Sequence, residues 1–295
     1  MDGGSIPPIS TLCSFGKFRL GFNRYFVGID KKESLKNGVD GKAYIFDNFV
    51  VLSTSRIKLR NITTLDHDLK YFDELIVEIK NLYDQGVSVV PILGYVYDEN
   101  DKYNEEEAEY GKGYIIMSKA KGEEVWDDAV VNPQPYLEYN KMTLDEKVNY
   151  ILDRTSFLAS VPQTQYDKFI DDVFVINDKD ILIDFRGKSN FFYDEMDGFQ
   201  FIDLDSHTDF KYGINDQNTI GGDWRVLFTG FVPCHQSISA EILSKLSGEE
   251  SKQLEENNVR IFEKCRTALV KRGIEEEKIN QALVEKKIEI WGKNV

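Results

Sequence analysis

The chain has 295 residues, of which 41% are hydrophobic and 13% aromatic, and it carries a net charge of −15. That composition excludes a disordered polymer and fits one large domain or two lobes around a buried core. The acidic balance argues against nucleic acid and anionic membrane surfaces, which need a basic footprint, and suits a cationic substrate or partner.

Ala43 to Thr54, AYIFDNFVVLST, reads as two strands around an Asp47-Asn48 turn. From Leu65 to Tyr83 the apolar positions Leu69, Phe72, Leu75, Ile76, Ile79 and Leu82 recur at helical spacing, with Thr64 or Asp66 as N-cap and Gly86 beyond the end. Val87 to Tyr97 and Gly113 to Ser118 read as strands, separated by an acidic, solvated loop from Asp98 to Glu109. Leu144 to Leu158 is helical, opened by Met142-Thr143 and closed by Val161-Pro162. From Ile238 onward the pattern is mostly helical, with Gly273 dividing two helices. This order, strands and one helix first and a helical half with a small hairpin afterwards, predicts an α+β fold.

Cys13, Cys234 and Cys265 are far apart and odd in number, so no redox or metal pair is expected, and a reduced, cytoplasmic setting is. The opening MDGGSIPPIS lacks a basic segment leading into an apolar core, so no secretory signal is expected. No apolar run approaches the roughly 18 residues that a membrane span requires.

The chemistry is concentrated in Ile183 to Asp205, IDFRGKSNFFYDEMDGFQFIDLD. Asp184 precedes a tight basic loop, Arg186-Gly187-Lys188-Ser189, that ends at Asn190. Phe191 to Tyr193 reads as a strand, Asp194 to Gly198 as a turn, and Phe199 to Ile202 as the returning strand. Such a hairpin would bring Asn190 and Asp203 to one end. Hard cations such as Mg2+ take oxygen ligands and share them with substrate phosphates. Two carboxylates and an amide oxygen are therefore the parts of a phosphoryl-transfer site.

With these residues in place, the chain resembles the protein-kinase-like superfamily, nearest the aminoglycoside and choline phosphotransferase branch and related bacterial kinase-like proteins. The resemblance implies a two-lobed fold, with a small β-rich lobe over residues 1–120 and a larger helical lobe over 121–295. It implies an ATP- and Mg2+-dependent phosphotransferase acting on a hydroxyl of a protein or small molecule. Asp184 would orient the attacking hydroxyl, Arg186 would neutralise the transferring phosphoryl group, and Asn190 and Asp203 would hold Mg2+. Gly38 and Gly41 would flank the turn covering the nucleotide, where backbone without Cβ atoms approaches phosphate. Glu78 would be the ion-pairing Glu of the small-lobe helix. Met117 would stand near the gatekeeper position, with Ser118 to Ala120 bonding the adenine.

Two departures keep other readings open. Asp184 and Asn190 are six residues apart, where the family commonly has five, and no His-Arg or His-Gly precedes the Asp. The strand Phe49-Val50-Val51-Leu52-Ser53 offers no phosphate-contacting Lys, which removes the usual partner of Glu78. A pseudokinase-type scaffold and a kinase-like nucleotidyl transferase are the alternatives. Residue by residue, the plain readings are an exposed helix carboxylate for Glu78, a core side chain for Met117 and turn caps for the aspartates.

Overall fold

A computed structural model describes residues 34–37, 41–45, 48–54, 76–102, 111–126, 142–179, 181–183, 190–202, 204–206, 224–231, 238 and 240–285. The chain divides into two compact units, Met1–Asp84 with Val90–Lys119, and Gln85–Val89 with Ala120–Val295. It is a mixture of helix and small antiparallel sheets, and among the described residues most of the helix falls in the second unit.

The first unit is built on a five-stranded antiparallel sheet. Its strands are β1 (Ser34–Asn37), β2 (Gly41–Ile45), β3 (Phe49–Thr54), β4 (Ile92–Lys102) and β5 (Gly111–Ser118), in the order β1-β2-β3-β5-β4. β2 and β3 pair antiparallel, with Ile45 opposite Val50, and Asp47 of the predicted turn lies outside the described residues. The β4 strand differs from the sequence expectation. It continues through Asp98 and Glu99 to Lys102, where acidity alone predicts a loop. The reason is its partner: β5 begins early, at Gly111, and its backbone ladder carries Asp98 opposite Lys112 and Lys102 opposite Gly111 after a register shift. Strand pairing is decided by such cross-strand context more than by residue type.

Residues 76–84 form helix α1, which turns Ile79 and Leu82 inward and leaves Val77 and Tyr83 exposed. Gly86, at φ +81°, follows its last turn in the left-handed conformation that ends many helices. The earlier part of the predicted helix lies outside the described residues.

The second unit rests on α2 (Leu144–Ser160), α3 (Gln163–Asn177), α4 (Leu227–Gly230), α5 (Ala240–Lys245), α6 (Gly248–Lys271) and α7 (Glu276–Glu285), with a 3-10 turn at Trp224–Val226. A capping box opens α2: the Thr143 hydroxyl accepts from the Glu146 amide while the Glu146 carboxylate accepts from the Thr143 amide. Ser247 and Glu250 repeat the device at α6. At the far end of α2 the Lys264 ammonium of α6 donates to the carbonyls of Ala159 (2.8 Å) and Val161, supplying cations where helix carbonyls are left over. Burial holds the Lys264 pKa below its usual value, and the nearby Arg260 acts the same way.

Helix α3 is absent from the sequence reading. Its signal is nonetheless present, because Tyr166, Phe169, Ile170, Val173 and Ile176 recur at helical spacing and are all buried. Among the described residues no helix is long and apolar enough to cross a membrane.

Candidate functional site

Two small sheets carry the candidate site. In the first, β6 (Glu123–Glu124), β8 (Phe191–Asp194) and β9 (Gly198–Phe201) lie in the order β6-β8-β9. In the second, β7 (Ile181–Ile183) pairs antiparallel with β10 (Leu204–Ser206). The β8–β9 hairpin is the one the sequence predicts, with Phe191 opposite Phe201 and Asp194 opposite Gly198. Its turn is closed by the Asp194 carboxylate, which accepts from the amides of Met196 (2.9 Å) and Asp197 (3.0 Å).

Alternation fixes which face of the hairpin is buried. Phe191, Tyr193, Phe199 and Phe201 point to the core, while Phe192 and Gln200 are half-buried. Phe169 of α3 supplies the floor: its ring stacks on Phe201 at 5.2 Å and 3°, and lies 5.1 Å from Phe199 and 4.5 Å from Phe231. Tyr166 adds an edge contact to Phe199 at 5.3 Å and donates its hydroxyl to the Leu158 carbonyl at 2.9 Å. Burial pushes the Tyr166 phenol well above its ordinary pKa, so it serves here as a neutral hydrogen-bond donor.

Both edges of the hairpin are covered. On one side β6 pairs with β8, and the Val125 amide donates to the Phe191 carbonyl at 2.7 Å. Gly122 permits that approach: at φ +72°, a Cβ there would meet the Tyr193 carbonyl oxygen at 1.9 Å. On the other side the Phe201 amide donates to the Ser88 carbonyl at 2.8 Å, and Val89 forms a parallel bridge with Phe201.

Asn190 stands at the open end of this hairpin and is 8% exposed. Its carbonyl accepts from the Ile202 amide at 3.0 Å, which extends the β8–β9 ladder by one step. Ile183, the last residue of β7, lies opposite Leu204, the first residue of β10. The described chain neighbours of Asp184 and Asp203 are thus partners of one another, and Ile202 is a partner of Asn190. Asp184, Arg186 and Asp203 themselves lie outside the described residues, as does Gly38. Among the described residues no cluster of three His, Cys, Asp or Glu side chains suits a metal ion.

The upstream candidates fall in the first unit and at its boundary. Gly41 opens β2 opposite Thr54. Glu78 is half-buried on α1 and has no ion-pair partner among the described residues, whereas its neighbour Lys80 pairs with Asp84. Met117 is 7% exposed and lies opposite both Val50 and Ile92, as a core side chain should. The Ser118 amide donates to the Pro91 carbonyl at 2.9 Å and the Lys119 amide to the Asn48 carbonyl at 3.3 Å. Of the amides from Ser118 to Ala120, two are therefore already engaged within the protein. In the second unit Cys265 is fully buried, and that burial drives its thiol far above the ordinary range, so it is no nucleophile.

One polar group next to the hairpin escapes the sequence reading. Asp172 lies on the inner side of α3, 4% exposed, and binds Lys168 one turn earlier. The signal was a carboxylate within the apolar stripe of a helix, which is legible only once the helix itself is recognised.

No protein-family model and no curated protein matches the chain. Among solved structures it is similar to WbdD, in a crystal structure at 10% identity and TM-score 0.36 that covers 86% of this chain and 50% of that one. Similar values hold for WbdD co-crystallised with the kinase inhibitor LY294002 (14%, TM-score 0.34, 84% and 49%) and for a structure described as the bifunctional kinase-methyltransferase WbdD (12%, TM-score 0.31, 84% and 47%). The chain spans about half the length of these proteins. Likeness at this level does not define fold or activity, which rest on the residues of this chain.

Proposed function

We propose that the chain is an ATP- and Mg2+-dependent phosphotransferase of kinase-like, two-lobed architecture, with residues 1–120 and 121–295 as its lobes and a hydroxyl-bearing acceptor. One observation carries the reading: the pairings Ile183 with Leu204 and Ile202 with Asn190 gather the flanks of Asp184, Asn190 and Asp203 around one end of two small sheets. Ile183 and Leu204 are 21 positions apart in the chain, and strand pairing is what sets them opposite one another.

The donor set fits the ion. An amide oxygen and a carboxylate are hard ligands of the kind Mg2+ takes, and Asn190 is held by backbone pairing at the end of the β8–β9 hairpin. Asn190 and Asp203 would hold Mg2+, which when bound neutralises phosphate charge. On this reading Asp184 serves to orient the acceptor hydroxyl and accept its proton, while Arg186 neutralises the charge that develops on the transferred group. Positioning and charge complementarity do most of the work in such a reaction. Gly38 and Gly41 let the β1–β2 turn approach phosphate, and the Ala120 amide, with Ser118 and Met117 beside it, supports the base. Glu78 is assigned to the same nucleotide site.

A second reading is favoured by the β3 strand, which carries no Lys between Phe49 and Thr54 and so gives Glu78 no partner there. On that reading the protein is a pseudokinase-type scaffold. Intact-mass measurement after incubation with MgATP and candidate hydroxyl acceptors separates the cases: phosphoryl transfer supports the enzyme, and adenylate points to nucleotidyl transfer. Asp203→Ala should lower transfer by about a hundredfold or more. Transfer at the parent's rate would remove Asp203 from the site. No response to nucleotide with or without Mg2+ would leave the scaffold.

A further inference from the structure

Asp172 is the one buried carboxylate among the described residues, and everything it touches leads to the hairpin. Its two oxygens accept from the Lys168 ammonium at 2.5 and 2.6 Å, and Oδ2 also accepts from the Ser88 amide at 3.2 Å. Lys168 in turn donates to the Gly86 carbonyl at 2.9 Å and the Ser88 hydroxyl at 3.3 Å. The ion pair therefore clamps residues 86–88 largely through their backbone. The Ser88 carbonyl then accepts from the Phe201 amide at 2.8 Å, and the next amide, that of Ile202, donates to Asn190 at 3.0 Å.

The pair straddles the surface, with the Asp172 side chain 5% exposed and that of Lys168 46%, so solvent screens part of its attraction and its net stabilisation is small. What such a pair does supply is a fixed geometry, since its hydrogen bonds are strong and directional. Here that geometry is delivered to one backbone segment, which forms the outer edge of β9.

We propose that Asp172 is a positioning residue. Together with Lys168 it locks Ser88 against β9 and so sets Phe201 and Ile202 relative to Asn190. The metal-site consequence rests on the phosphotransferase reading above, whereas the effect on the hairpin does not. The competing account is that the stack of Phe169 on Phe201 alone holds the hairpin and Asp172 only contributes to stability.

The test uses the full chain and two variants, Asp172→Asn and Lys168→Gln, the second at a half-exposed position that tolerates change. Amide hydrogen exchange is followed in β9 and, for reference, in α6. Binding of Mn2+ in the presence of ATP is measured alongside. Losing the charge-assisted contact should speed exchange at Phe201 and Ile202 by about tenfold while α6 stays as in the parent. The apparent Kd for Mn2+ with ATP should rise by about tenfold, the usual effect of loosening a residue behind a metal ligand. Exchange in β9 that matches the parent, or that rises equally in α6, overturns the proposal. So does a loosened β9 with parental Mn2+ binding. A parent chain that binds no Mn2+ with ATP sinks the phosphotransferase reading instead, and the exchange data then decide the hairpin role alone.

Discussion

Gly122 sits where no other residue is comfortable. Its φ of +72° and the 1.9 Å approach of the Tyr193 carbonyl to a would-be Cβ combine two penalties, and the second involves backbone that cannot swing aside. Gly122→Ala should destabilise the second unit by about 2–4 kcal/mol, measured by urea unfolding. Asp167 offers a test with a pH signature. Burial works to raise its pKa, yet hydrogen bonds from Gln163 (3.0 Å) and Lys271 (2.6 Å) outweigh that and hold it below its usual 3.8. A depressed carboxylate contributes stability that is full above the unfolded-state value and is lost as pH falls through the folded-state value. Asp167→Asn should therefore cost about 1 kcal/mol at neutral pH, and the gap to the parent should close as the pH falls from the unfolded-state value through the lower folded-state one. A gap that persists in acid would show that the charge is not its source.

At the scale of elements, the hairpin and helix α3 depend on one another. Phe169 contacts Phe191, Phe199, Phe201 and Phe231 and is 1% exposed, so it is the floor on which both strands rest. Phe169→Ala should cost about 3–5 kcal/mol and abolish protection of the β9 amides in hydrogen exchange. Both strands of the hairpin were legible in the sequence, because alternating aromatics around Asp194 to Gly198 have few other solutions. The β7–β10 pair was not. Each strand is three residues long, and their pairing joins segments separated by the whole hairpin, a contact that no local pattern encodes. The acidic end of β4 was misread for the same reason, since its ladder depends on where β5 begins.

For the whole molecule, the net charge of −15 means that self-repulsion opposes compactness. Raising ionic strength from a few millimolar to about 0.15 M, where the Debye length is about 8 Å, should raise the Tm, as differential scanning fluorimetry would record. MgATP at about a hundredfold over its Kd should add about 2.7 kcal/mol of stability if the nucleotide binds the folded chain alone. Omitting Mg2+ should remove most of that gain. From the sequence alone came the α+β class, the hairpin, the capped helix beginning after Thr143, and the three polar residues around which the functional reading is built. These are local properties, written in periodicity, caps and turns. Only the tertiary structure decided that the flanks of Asp184, Asn190 and Asp203 meet, that α3 lies beneath them, and that a buried Asp172 grips the edge of β9. Those facts depend on contacts between distant parts of the chain, where burial and backbone pairing choose among partners that the sequence leaves equal.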